Sequence, residues 1–277
     1  MTNLARWIEA NELSLIKPED QQWLSRVFDR FAGYPSLEQL WALMDEPWHA
    51  LDCDPAVMDA RIGAYYSHPV WLLNGLFIEQ HAESLRNRAQ FKDWVTKKSP
   101  QRVAEFGGGF GGLARMICAS LPSATVEIIE PHPHPVAIAR AEKTSNVRYC
   151  PKMVGEYDVL IATDVFEHVP DPLQLVYETA EHLRTGGHYL IANCFFPVIR
   201  CHLPQTFHFR HSWDAALKAM GLEPAEGVAY GRAFVRRGRL NLEAARKVES
   251  QSLKLWPLTK HVPGRLARPI TNLLVSA

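Results

Sequence analysis

The feature that most constrains this chain is a run of glycines between a strand and a helix, at Val103-Ala104-Glu105-Phe106-Gly107-Gly108-Gly109-Phe110-Gly111-Gly112-Leu113. Glycine tolerates positive φ and lets a ligand lie against bare backbone. The start of the following helix adds N–H groups that favour a carboxylate or phosphate. The spacing satisfies Glu-x-Gly-x-Gly-x-Gly from Glu105 to Gly111. Through Gly107, Gly109 and Gly112 it also satisfies the Gly-x-Gly-x-x-Gly of dinucleotide sites, so the glycines alone do not decide the ligand. Two acids add information. Glu105, at the strand end, suits the ammonium of an amino-acid ligand, directly or through water, and repels a pyrophosphate. Glu130 ends the next strand, where a carboxylate accepts both ribose hydroxyls of an adenosine.

Strands and helices alternate through this part of the chain. The pattern predicts strands at 102–106, 125–130, 147–150, 157–163, 188–192, 226–230 and 233–236, with helices at 113–121, 136–142, 173–183 and 213–220. That rhythm gives an α/β, Rossmann-like fold, with a mostly parallel seven-stranded sheet covered on both faces. Residues 1–98 read as helical. Trp23, Val27, Phe28 and Phe31 fall at helical spacing before Gly33-Tyr34-Pro35. Ser36 caps a helix through Met44, Asp54-Pro55 opens another through Tyr66, and 69–94 is one long run with few breakers. Ser99-Pro100 disfavours helix and marks a boundary. Three regions follow: a mostly helical segment at 1–98, a Rossmann-like α/β domain at 99–240 and a basic extension at 241–277.

Thirty basic and thirty acidic residues cancel, so nothing global points to nucleic acid, although residues 231–277 hold ten Lys/Arg against two Glu. The five cysteines are odd in number and contain no Cys-x-x-Cys pair, which fits a reducing compartment. With no apolar leader and no run of about 18 apolar residues, a cytoplasmic protein without an integral membrane segment is expected.

On these residues the stretch 101–237 resembles a class I S-adenosylmethionine-dependent methyltransferase. Glu105, Gly107, Gly109 and Gly111 match the family's first motif, and Glu130 its ribose-binding acid. The segment from Asp158 to Pro172 is similar to the fourth-strand segment that often ends in Glu-His-Val, here Glu167-His168-Val169. Leu183-Arg184-Thr185-Gly186-Gly187 resembles the Leu-x-Pro-Gly-Gly turn, with Thr185 in place of proline. The resemblance implies a seven-stranded class I fold with S-adenosyl-L-methionine as cofactor, held by Glu105, Gly107, Gly109, Gly111, Glu130 and Asp164. It departs after Cys150, where the family places an acid against the adenine amine. Lys152 and Met153 stand there, which leaves Met153 as an apolar contact. Pro131-His132-Pro133-His134-Pro135 is read as a stiffened surface turn.

Methyl transfer from a sulfonium is an in-line displacement, so alignment, a dry pocket and the removal of one proton matter most. In this topology it happens beyond the carboxyl ends of the strands. Asp164-Val165-Phe166-Glu167-His168 leaves the fourth strand there, and His168 is a candidate base because imidazole titrates at about 6.5; a capping role is its rival. The loop 193–211 supplies His202 and His208 as further candidate bases, Arg200 or Arg210 for an anionic group, and aromatics that exclude water. Cys201, His202 and His208 lack compact zinc spacing, and no metal is expected, although Glu167-His168 is similar to a segment of quinone-type O-methyltransferases that use one. The resemblance also implies that the helical N-terminal segment 1–98 is a lid over the substrate, which Tyr65, Tyr66, His68, Asn74 and Glu79 are expected to line and whose core is Trp71, Leu72, Leu76 and Phe77. The tail from Leu253 to Leu273 alternates apolar and basic residues. Pro257, Pro263 and Pro269 break any long helix there, which favours packing on the protein itself or on a second subunit over a membrane, and leaves a homodimer open. The expected activity is O-methylation of a small-molecule hydroxyl, on a sugar or secondary metabolite. A quinone or lipid-linked acceptor, N-methylation, an NAD-dependent oxidoreductase and a non-catalytic cofactor-binding subunit are the alternatives.

Overall fold

In β4 (Tyr157–Thr163), Val159 and Ile161 belong to one buried cluster while Leu160 and Ala162 belong to another. A strand apolar on both faces needs cover on both, and this one forms the middle of a three-layer arrangement. The structure, a computed structural model, describes residues 7–31, 35–262 and 264; Gly33, Tyr34 and the tail from Arg265 onward lie outside the described residues.

Seven strands form one sheet: β1 (Arg102–Phe106), β2 (Thr125–Ile129), β3 (Val147–Cys150), β4, β5 (Leu183–Ala192), β6 (Leu222–Val228) and β7 (Gly231–Arg236), in the order β3-β2-β1-β4-β5-β7-β6. The first five run parallel, and β7 pairs antiparallel with both β5 and β6. The strand order therefore reverses between β1 and β4, and the crevice outside their carboxyl ends is where this topology binds ligands.

Five helices precede the sheet: α1 (Pro18–Asp29), α2 (Leu37–Ala50), α3 (Ala60–Tyr66), α4 (Val70–Ile78) and α5 (Ala82–Lys98). Ser36 does cap α2, in a capping box with Gln39. The helix expected from Asp54 begins later, at Ala60. Asp54 accepts the Ala56 N–H in a turn, and Asp59 is the cap instead. The run 69–94 is two helices. Arg88 Nη1 donates to the Ile78 carbonyl (2.8 Å), closing the end of α4 where no helical N–H continues.

α5 and α6 (Gly112–Ser120) cover one face of the sheet. α8 (Pro172–Glu181), α9 (Phe209–Met220) and α10 (Leu242–Thr259) cover the other. α7 (Pro135–Glu142) joins β2 to β3. α9 begins four residues before the expected Trp213. The expected turn at 185–187 is instead part of β5, where Gly186 (φ +79°) lies beside a register shift against β4. The expectation that prolines break the tail fails for Pro257. α10 starts at the Asn241 cap and runs through Pro257 into its last turn, where a missing N–H interrupts little of the helix. A third cluster, built by α1, α2 and α4, includes Phe110 of the glycine loop and Ile199 and Cys201 of the loop after β5, so the N-terminal helices pack on the carboxyl edge of the sheet.

Candidate active site

β1 leads directly into the glycine loop. Gly107 (φ +67°) and Gly111 (φ +65°) hold the left-handed conformation, and a Cβ on either would collide, with Val165 (2.5 Å) and with Ile128 respectively. Gly109 (φ +49°) faces open space, so the crevice sees bare backbone there. Glu105 lies beneath, only 4% exposed, and its Oε2 accepts the Ala114 N–H in the first turn of α6 (3.0 Å). Burial pushes its carboxyl up to about 7, against the pull of Arg88 and of that amide. Glu130 stands one residue past β2, half-buried. Burial raises its carboxyl too, while the backbone amides of His132 and Gly109 pull it down. The Tyr149 hydroxyl, at the end of β3, donates to the Gly109 carbonyl (2.7 Å).

The exit of β4 meets this loop at Val165. Asp164, left-handed at φ +53°, donates its N–H to the Ala192 carbonyl (2.8 Å), and its Oδ2 accepts the Tyr230 hydroxyl (2.7 Å). Asp164, Tyr66 and Tyr230 are exposed, yet the protein around them strips away much of their hydration. A cleft wall produces that combination. The crowding raises the Asp164 carboxyl to about 6, and Tyr230 works against it.

Glu167 is fully buried and joins the loops that follow β4 and β5. Its Oε1 accepts the Cys194 N–H (2.7 Å), and its carbonyl accepts the Leu203 N–H (2.9 Å). The Asn193 amide, oriented as its neighbours require, donates to Oε2 (3.2 Å). Burial, with Asp164 nearby, raises the Glu167 carboxyl. These ties bring His168 and His202 face to edge, ring centroids 4.9 Å apart. His168 Nδ1 lies 3.2 Å from the Cys201 carbonyl and His202 Nδ1 lies 2.7 Å from the Phe196 carbonyl. A carbonyl only accepts, so each Nδ1 carries the hydrogen and each Nε2 the lone pair. Burial lowers both imidazoles, His168 to about 3. One ligating atom each from Glu167, His168 and His202 lie within 4.8 Å of one another. Tyr66 and Trp71 close over His168, with centroids at 6.5 and 6.2 Å.

Other expected residues are distributed more widely. Asn74 lies on α4 one turn after Trp71, half-buried. Arg200 is exposed, its N–H bonded to Asp45 Oδ1 (2.8 Å), at a recess of about 490 Å³ that His202, Trp48, His49 and Phe207 also line. Met153 is buried with the sheet core. Four expectations are corrected. His208 is not at the strand edge but beneath α10, its Nδ1 on Ser252 Oγ (3.0 Å). Arg210 is stacked on Phe196 (4.2 Å) and Trp256 (4.7 Å), where it fastens α9 to α10. Tyr65 has no exposed surface and packs edge-on to Trp48. His68 sits against Trp23 of α1 and accepts the Val70 N–H through Nδ1 (3.1 Å). Conversely, Arg88, Tyr149 and Tyr230 reach the crevice and were not expected there. The only local hint was that Arg88 lies on a helix leading into β1.

Residues 76–226, more than half of the chain, match the model of a family described as a methyltransferase domain. With this sheet order and loop, the fold and site are those of a class I methyltransferase, and the chain belongs to the methyltransferase-domain family. S-adenosyl-L-methionine is the cofactor of that class, and the bare backbone at Gly109 between Glu105 and Glu130 fits it. The dinucleotide alternative falls with this match. The malonyl-[acyl-carrier protein] O-methyltransferase of Halalkalibacterium halodurans is 28% identical over 139 residues, 46% of this chain and 48% of that protein. The ubiquinone biosynthesis O-methyltransferase of Marinobacter nauticus is 38% identical over 42 residues, 15% of this chain and 18% of that protein. The chain thus spans no more than about half the length of these curated relatives. The crystal structure of the CurJ carbon methyltransferase shares the fold, with a TM-score of 0.55 at 13% identity over 80% of this chain and 72% of that one. No helix among the described residues is long and apolar enough to cross a membrane.

Proposed function

We propose that this protein transfers the methyl group of S-adenosyl-L-methionine to a hydroxyl of a small molecule, with the His168–His202 pair as the base. The observation that carries this reading is the tautomer lock: both Nδ1 atoms donate to backbone carbonyls, so both Nε2 atoms keep their lone pairs at the carboxyl edge of β4, and with His168 lowered to about 3, His202 is the stronger proton acceptor of the pair. The glycine loop and Glu130 hold the nucleoside end, Glu105 faces the ammonium, and the bound cofactor supplies an electrophilic methyl. Tyr66 and Trp71 keep water from His168, and the recess beside His202 receives the body of the acceptor. Its mixed lining suits a sugar or secondary-metabolite hydroxyl, and a quinone or lipid-linked acceptor comes second. Residues 1–98 serve as the lid, 99–240 as the cofactor domain and 241–277 as an extension packed through α10.

Incubating the protein and methyl-labelled cofactor with a cell extract tests this, because only an enzyme yields a labelled product. His168→Ala and His202→Ala are each expected to lower turnover about 100-fold or more with cofactor binding unchanged. If both keep wild-type turnover, the histidine base is wrong. The close set of Glu167, His168 and His202 supports a second reading, in which these atoms hold a divalent cation that orients the acceptor. A chelator then abolishes turnover and added metal restores it; under the base reading turnover is indifferent to both.

A further inference from the structure

The loop after β5 borders a second recess, of about 250 Å³, whose lining includes Phe196, Arg210, His211, Lys260, His261 and Val262. Four of these carry or can take a positive charge, and no acid lines it. Arg210 is its fixed point. The guanidinium lies over the rings of Phe196 (4.2 Å), Trp256 (4.7 Å) and Phe207 (5.6 Å), and Nε donates to the Phe207 carbonyl (3.1 Å). Stacking and that one bond orient the planar fork. The bond from Nε is the side chain's only hydrogen bond among the described residues, so Nη1 and Nη2 are left to donate. No carboxylate is among the charges that act on Arg210, and the protein packed around it strips away hydration. A guanidinium that has lost water without gaining a counter-ion calls for an anion. The helix ends agree. Arg210 and His211 stand in the first turn of α9, whose positive end favours an anion, and Lys260 caps α10 and offsets the negative end of that helix.

We infer that this recess binds a phosphoryl group, with Arg210 as its planar fork and Lys260 and His261 as flanking cations. A tetrahedral oxyanion offers separate oxygens to donors that converge from two helices. The exposed ring of Phe196, with Val262, gives an apolar wall for part of the molecule that carries the group. The recess is separate from the glycine loop, so the inference stands apart from the cofactor reading. Phe196 nevertheless links it to the base: its ring carries Arg210, and its carbonyl accepts His202 Nδ1 (2.7 Å).

Calorimetric titration of the full chain with phenyl phosphate, at constant ionic strength, tests the assignment without turnover. The wild-type protein should bind it in the millimolar range or tighter. Arg210→Lys, which keeps the charge but loses the fork, should weaken binding about 10-fold, and so should the double variant Lys260→Ala/His261→Ala. If Arg210→Lys loosens α9 from α10, the double variant still decides, because both of its residues are exposed. Lys254→Ala, an exposed lysine elsewhere on α10, should stay within about twofold of wild type. Inorganic phosphate that binds as tightly as the phenyl ester marks free phosphate as the ligand, and weaker binding marks a phosphorylated molecule; both uphold the site. Benzoate bound as tightly as phenyl phosphate, a loss in Lys254→Ala equal to that in the double variant, or a wild-type protein that binds none of these anions at millimolar concentration overturns the inference.

Discussion

At the scale of single residues, Glu105 makes the sharpest prediction. Its buried carboxyl titrates at about 7, so near neutral pH it is partly protonated. An ammonium ligand prefers the ionised form. Cofactor affinity should therefore rise with pH through that value, and be roughly tenfold weaker at pH 6 than at pH 8 on this account alone. Glu105→Gln, whose amide oxygen can still accept the Ala114 N–H, should bind more weakly and lose most of the slope. A variant with the same slope as wild type would place the titration elsewhere. Glu105, Gly107, Gly109, Gly111 and Glu130 were legible in the sequence because a strand, a tight turn and a helix start are neighbours along the chain. Arg88 and Tyr230 were not, because only the folded sheet brings α5 and the β6–β7 turn to the same crevice. His208, His68 and Tyr65 misled for the converse reason. A histidine or tyrosine in an aromatic-rich stretch reads alike whether it lines a cleft or packs beneath a helix.

At the scale of elements, the contact between α4 and the glycine loop sets the geometry of the site. Gly75 has no room for a side chain, because a Cβ there would run into the ring of Phe110, itself only 5% exposed. Gly75→Ala must displace either the helix or the loop. It should cost about 1–3 kcal/mol in urea denaturation and weaken cofactor binding, since Gly109 and Gly111 flank the displaced ring. An alanine variant as stable as wild type would show that the contact is loose. Element types were mostly readable from periodicity, and boundaries less so. The break between α4 and α5 carries no glycine or proline and depends on Arg88 reaching back to Ile78. α10 defied the proline rule because Pro257 falls in a last turn, where little helix remains to be broken.

At the scale of the whole molecule, burial of ionisable groups sets how stability responds to pH. His208 lies in the α9–α10 contact, where burial lowers it from the ordinary 6.5 to about 4. The folded state thus holds it neutral while the unfolded chain takes up a proton. That contribution, roughly 3 kcal/mol, is fully present above about 6.5 and is lost as pH falls toward 4. Glu105 runs the other way between 4.5 and 7, since its raised carboxyl gives the folded state the extra proton. The two slopes oppose each other between about 4.5 and 6.5; the lowered His168 and His202 add to the loss of stability toward acid, and the raised Asp164, Glu130 and Glu167 oppose it. Relative to wild type, His208→Gln should lose less stability between pH 6.5 and 4; an unchanged difference across that range would contradict the assignment. The fold class follows from one run of alternating strands and helices, whereas the placement of the first 98 residues over the sheet edge depends on tertiary contacts of Phe110, Trp71 and Tyr66 that no local pattern encodes. The whole account rests on the crevice between β2, β1 and β4 being the cofactor site. A crystal structure with S-adenosylhomocysteine measures this most directly. The ribose hydroxyls are expected on Glu130, the amino-acid end beside Glu105, and the sulfur directed toward His168 and His202. A nucleoside bound elsewhere, or none at saturating concentration, would contradict it.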